Sequence, residues 1–243
     1  MKLTVCKDLD ELSSKAAAEF VRIAEESISE RGRSTVALSG GSTPKALYQK
    51  IANVDLDWPK IFFFFGDERN VPADDIQSNY NLAKTELFEK LPVSKWNVAA
   101  WPTEISSPEE VARTYEQMLE ISFESITEHD QRPRFDLVLL GMGPDGHTAS
   151  LFPHTRALSE TRRIAVANWV PQLDTWRYTL TFPVINNARN IMFLVAGGDK
   201  SSAVRSVIEG EAIPMELPAQ SVDPAHGELF WFLDEAAAAE LSL

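Results

Sequence analysis

The sequence predicts an α/β protein with a mostly parallel central sheet flanked by helices on both faces. Three observations carry this reading. Strand-like and helix-like segments alternate along the chain, the signature of strand–helix–strand units. Two strand-like segments, KIFFFFG at 60–66 and FDLVLLG at 135–141, are apolar without alternation, as suits strands buried on both faces of a parallel sheet. No internal repeat, low-complexity tract or linker interrupts the 243 residues, so a single domain over 1–243 is expected.

Each element follows from local pattern. LTVC at 3–6 is a short first strand. From Asp8 to Arg31 apolar residues recur at helical spacing (Leu9, Leu12, Ala16, Phe20, Ile23), and Gly32 stops the helix. STVALSG is a strand. The segment SGGSTPKALYQKI opens a helix, with Ser42 or Thr43 as its cap and Pro44 in its first turn. The four-phenylalanine strand reads as a central one. A helix follows over about 78–91. Ser107-Pro108-Glu109-Glu110 is a capping box that opens a helix to about Phe123. The segments FDLVLLG, RRIAVANWV, RYTLTFP, NIMFLVAGG and ELFWFL read as strands, with helices at about 200–209 and 235–241. The three-proline stretch at 211–228 reads as a surface loop. The whole is Rossmann-like. In such sheets ligands bind beyond the carboxyl ends of the strands.

Composition narrows the function. The formal net charge of −13 argues against nucleic acid, which requires a basic face. No apolar run approaches the roughly 20 residues of a membrane span. The N-terminus has no apolar signal core, and Cys6 is the single cysteine; a reducing, cytoplasmic location is expected. Cys6 reads as a small buried residue of the first strand. An acidic chain that binds a phosphate needs local cations and backbone N–H groups to do so.

Four clusters stand where strands lead into helices. Ser39-Gly40-Gly41-Ser42-Thr43-Pro44 combines glycines, which permit close backbone approach, with a helix start, which attracts anions. Gly66-Asp67-Glu68-Arg69 sets three charges at the end of an apolar strand. Gly141-Met142-Gly143-Pro144-Asp145-Gly146-His147 matches G-x-G-x-x-G, but no acidic residue ends the next strand to hold a ribose. The better reading is a tight glycine turn presenting Asp145 and His147, the latter as a general base. Ala196-Gly197-Gly198-Asp199-Lys200 puts a lysine at a helix start, a poor place for a cation unless an anion is shared there. The sequence has no nucleotide-binding G-x-x-x-x-G-K-[ST], no G-x-S-x-G and no zinc spacing. His154 in its loop is a poor metal ligand, and His129 and His226 fall in polar loops.

Together these segments resemble the 6-phosphogluconolactonase family, within the group that includes glucosamine-6-phosphate isomerase/deaminases. The resemblance runs through SGGSTPKALY, FFGDERNVPADDIQSNYNLAK, FDLVLLGMGPDGHTASLFP, RYTLTFPVINNARNIMFLVAGGDKSSAV and LPAQSV. It implies hydrolysis of 6-phosphogluconolactone to 6-phosphogluconate, without metal or organic cofactor. No obligatory protein partner is inferred. It implies that Gly40, Gly41, Ser42, Thr43 and Lys200 hold the phosphate, that His147 is the base, and that Arg69 and Arg177 contact substrate. Asp145 or Asp67 is expected to orient the imidazole, and Arg69 to stabilise the oxyanion, with backbone N–H groups of 141–146 as competitors. TASLFP and LPAQSV carry no charge and are given no chemical role. The deaminase branch aligns a glutamate with Phe152 and tends to a tyrosine where Arg69 stands, so both positions favour the lactonase. The alternatives are an amino-sugar-phosphate isomerase/deaminase and a non-catalytic sugar-phosphate sensor; retention of Asp145 and His147 speaks against the sensor.

Overall fold

The computed structural model describes residues 1–105, 107–123 and 132–242. His129 lies outside these residues. The chain opens with β1 (Lys2–Cys6) and the long helix α1 (Leu9–Arg31). The Asp8 carboxylate accepts the Glu11 N–H at the start of α1. At its end Gly32 is left-handed, φ 75°, and its N–H returns to the Ile28 carbonyl. There follow β2 (Ser34–Leu38), α2 (Ser42–Ile51), β3 (Ile61–Phe65), β4 (Asp67–Arg69), α3 (Asn79–Glu86), α4 (Pro108–Phe123) and β5 (Leu137–Leu140). The second half holds β6 (Ala165–Val170), β7 (Thr175–Leu180), the single turn α5 (Phe182–Ile185), β8 (Asn190–Val195), α6 (Ser201–Glu209) and β9 (Glu228–Asp234).

Six strands form one parallel sheet in the order β1-β9-β8-β5-β2-β3. Every residue of β2 and β5 is buried, as expected where both faces are covered. The strand order reverses between β2 and β5: the chain moves outward one way to β3 and the other way through β8 to β9. A crevice opens at such a reversal. It receives the loops after β2, β5 and β8.

The four-phenylalanine strand is not central. β3 is the edge strand, paired only with β2. Its apolar character has another cause. The bare edge is covered by the segment after it: Ala99 N–H donates to the Phe63 carbonyl, and Trp101 Nε1 and the Tyr115 hydroxyl donate to the Phe65 carbonyl. Trp58 and Phe88 pack against Phe63. The edge is therefore closed to further strands.

A second sheet, antiparallel and three-stranded, has the order β4-β7-β6. The alternation of strands and helices did not foresee it. β4 belongs to it because Gly66 breaks the run: Gly66 N–H still bonds to Leu38, while its carbonyl accepts from Leu180 of β7. Two local expectations also change. Gly41, not Ser42 or Thr43, is the N-cap of α2, and no side chain caps that helix. Residues 235–240 form hydrogen-bonded turns instead of a helix, organised by Asp234, whose carboxylate accepts from Ala237 and Gly197. Cys6 is buried on β1 as expected. Among the described residues no helix is long and apolar enough to cross a membrane.

Candidate active site

The loop after β2 is built around its glycines. Gly41 adopts φ 107°, open to glycine at little cost. Gly40 has no room for a side chain: a Cβ there would fall 1.7 Å from Asn79 Oδ1. Behind the loop the buried Tyr48 hydroxyl accepts the Ser39 N–H and donates to the Ser39 carbonyl. With no side-chain cap, the first N–H groups of α2 are left to the crevice. Such a helix start holds anions.

The loop after β5 places His147. Gly143 N–H bonds to the His147 carbonyl, Gly146 N–H bonds to the Gly143 carbonyl, and Gly146 takes φ 73°. This closes a tight turn in which Asp145 Oδ1 lies 2.5 Å from His147 Nδ1 and also accepts the His147 backbone N–H. Burial pushes the Asp145 carboxyl up, but the hydrogen bond and charge of His147 and the backbone donors outweigh it, and the group titrates below the ordinary carboxylate range. A carboxylate at Nδ1 assigns the proton there and leaves Nε2 as the acceptor. The Phe152 ring stacks on the imidazole, centroids 4.0 Å apart and 20° from parallel.

The antiparallel sheet supplies the cations. Arg69 of β4 and Arg177 of β7 are directly paired across the strands. Like charges so placed repel, and burial together with the Arg69 charge lowers the Arg177 pKa. Neither guanidinium forms an ion pair with a carboxylate of the described residues. Arg69 instead donates to the Gln77 carbonyl. Beside them Asp67 is buried; it accepts from Ser150 Oγ at 2.7 Å and from Asn79 Nδ2 at 3.1 Å. The carboxylate bonded to the imidazole is that of Asp145, while the Asp67 carboxylate is bonded to Ser150 and Asn79. Glu68 is also buried and accepts from the N–H groups of Arg69, Asn79 and Tyr80 and from Ser78 Oγ. Burial raises its pKa above the ordinary value. Lys200 stands after β8, where Nζ lies 3.0 Å from the Asp199 carboxylate.

One cleft of about 530 Å³ is lined by Gly40, Gly41, Ser42, Thr43, Asp67, Arg69, Asp145, His147, Arg177 and Lys200. Every residue singled out from the sequence for chemistry thus meets in one place. The cleft also takes Ala149, Ser150 and Leu173, which the sequence did not single out, and Phe152, which it used only to separate the lactonase from the deaminase branch. TASLFP is not idle: it contributes Ser150 and Phe152. Nor is LPAQSV, whose Ala219 N–H bonds to the Gly146 carbonyl and whose Leu217 packs against Gly146. Uncharged residues carry no motif signal of their own, and only their contacts reveal them. His154 lies outside the cleft, exposed and bonded to Glu216, and His226 is exposed. Among the described residues no group of three or more His, Cys, Asp or Glu side chains is placed to hold a metal.

Known proteins resemble this chain in sequence and fold. Residues 7–231 match the family described as glucosamine-6-phosphate isomerases/6-phosphogluconolactonase. A 6-phosphogluconolactonase of Synechocystis sp. is 45% identical over 217 residues, 89% of this chain and 88% of that protein. One of Nostoc sp. is 44% identical over 220 residues, 90% of this chain and 89% of that protein. The solved structure of 6-phosphogluconolactonase from Trypanosoma cruzi superposes with a TM-score of 0.88 at 31% identity, covering 100% of this chain and 97% of that one. With the family model matched over residues 7–231 and relatives 44–45% identical over about nine-tenths of the chain, this protein belongs to the 6-phosphogluconolactonase family, within the glucosamine-6-phosphate isomerase/6-phosphogluconolactonase group.

Proposed function

We propose that the chain hydrolyses 6-phosphogluconolactone to 6-phosphogluconate with His147 as general base. Lactone hydrolysis comes with the family. The role of His147 is carried by one observation: its Nδ1 is held by Asp145 at 2.5 Å while the ring lines the cleft. The Nε2 lone pair then takes a proton from water as the water oxygen attacks C1. Charge develops on the carbonyl oxygen, and preorganised donors offset it. Arg69 is the donor favoured here; it lies in the cleft without a carboxylate partner among the described residues, as does Arg177 beside it. As the C1–ring-oxygen bond breaks, the imidazolium returns its proton to the leaving oxygen, and Asp145 stabilises the cation in between. A lactone is reactive enough for one base and correct positioning.

The substrate phosphate goes to the uncapped start of α2, with Gly40, Gly41, Ser42 and Thr43 and with Lys200, which lines the same cleft; Arg177, paired with Arg69, contacts the substrate beside it. The lone buried cysteine suits a reducing compartment such as the cytoplasm. The test is turnover of 6-phosphogluconolactone with spontaneous opening subtracted. The His147→Ala variant should lose turnover and still bind 6-phosphogluconate; near wild-type turnover in that variant would remove His147 as the base.

A further inference from the structure

We propose that Gly143 and Phe152 are positioning residues that clamp the His147 imidazole from two sides and leave Nε2 alone to face the cleft. The proposal rests on the reading of His147 as the base. Phe152 covers one face of the ring, with centroids 4.0 Å apart, and is itself buried. Its backbone is fixed in turn: the Phe152 carbonyl accepts from the Thr155 hydroxyl, and Thr155 accepts from the buried Asn168 of β6. On another side lies Gly143. A Cβ at Gly143 would sit 2.2 Å from His147 Nδ1, 2.3 Å from Cε1 and 2.6 Å from Asp145 Oδ1. The positive-φ glycine of this turn is Gly146, whereas Gly143 has ordinary φ. Backbone conformation therefore does not require glycine at 143. The space taken by the imidazole and its carboxylate does.

An imidazole has a broad, roughly two-fold χ2 preference, so rotamer energy alone does not fix which nitrogen faces inward. The His147 side chain keeps 25% of its surface exposed, enough to swing outward if the Phe152 ring is removed or a Cβ at 143 displaces it. A displacement of about 1 Å in a reacting group costs on the order of 10²-fold in rate. The clamp removes that freedom.

The experiment compares Phe152→Ala, Phe152→Tyr and Gly143→Ala with wild type, reading kcat and the dissociation constant of 6-phosphogluconate. Phe152→Ala and Gly143→Ala should lower kcat by roughly 10–100-fold, the range for groups that orient a reacting residue from behind it. Product affinity should stay within about twofold, since the phosphate wall is unchanged. Phe152→Tyr, which keeps the flat ring, should restore most of the turnover. In the His147→Ala background, under single-turnover conditions, Phe152→Ala should cost nothing further, because its partner is gone. An equal loss in both backgrounds would mean that Phe152 shapes the cleft as a whole, and would overturn the proposal. So would unchanged kcat in both Phe152→Ala and Gly143→Ala while His147→Ala is inactive. Full activity of His147→Ala would instead defeat the underlying reading of the base. Should Phe152→Ala fail to fold, Gly143→Ala carries the same test.

Discussion

The two walls of the cleft use the same local device for different ends. Each is a glycine turn after an inner strand, beside the point where strand order reverses. After β2 the glycines bring backbone close: Gly40 makes room for Asn79, Gly41 turns the chain at φ 107°, and the start of α2 stays uncapped. After β5 the turn instead exists to hold side chains. Gly143 makes room for an imidazole, and Asp145 closes on its Nδ1. One turn leaves helix N–H groups uncapped toward the cleft, and the other fixes the His147 side chain against Asp145. A glycine-rich motif therefore does not state its purpose; what would collide with the missing Cβ does.

The largest expected effect separates the two walls directly. His147→Ala should lower kcat by about 10²–10⁴-fold, the usual contribution of a general base, with little change in the affinity for product. If affinity fell in parallel, the base and phosphate walls would not be separate. Lys200→Ala should do the reverse, raising KM by about tenfold, as for loss of one hydrogen bond to a charged group. A large drop in kcat at saturation, with KM constant, would move Lys200 to the reacting end.

The buried support beneath the Gly40 loop can be tested by stability, since Glu68 accepts from the N–H of Asn79, which packs against Gly40. Glu68→Gln should destabilise the fold by about 2–3 kcal/mol, because an amide N–H₂ would face donors that now meet an oxygen. The pH dependence has a definite sign. Burial raises the folded-state pKa of Glu68, so between the ordinary and the raised value the folded protein holds more proton than the unfolded chain. The Glu68 contribution is thus fully present below the ordinary carboxylate pKa and declines as pH rises through the raised one. The stability gap between wild type and Glu68→Gln should widen as pH falls through that window, measured by urea denaturation at a series of pH values. A gap independent of pH would show that Glu68 is not held above its ordinary pKa.

The smallest expected effect concerns the field of the whole chain. Binding of 6-phosphogluconate should weaken a few-fold as salt rises, despite the net charge of −13. Local cations act by contact, while remote carboxylates are screened beyond a Debye length of about 8 Å. Tighter binding at high salt would mean that global repulsion outweighs Arg69, Arg177 and Lys200.

Much of this was legible in the sequence, and the reason is local. Helix α1 ends at Gly32 because only glycine enters the left-handed region freely, and that needs no distant partner. The turn residues, Asp145 and His147 were readable because their chemistry and spacing are unusual whatever surrounds them. The parallel sheet was readable from strand composition. What depended on tertiary structure was everything decided by a neighbour far along the chain. The apolar strand β3 proved to be an edge, because burial on both faces does not distinguish a flanking strand from a covering segment such as Ala99–Trp101. That His147 meets Asp145 while the Asp67 carboxylate is bonded to Ser150, 83 residues along the chain, was visible only in the folded structure. The pairing of Arg69 with Arg177 exists only because β4 leaves the main sheet at Gly66 and joins β7. Residue type sets what a side chain is able to do; long-range packing decides which partner it does it with.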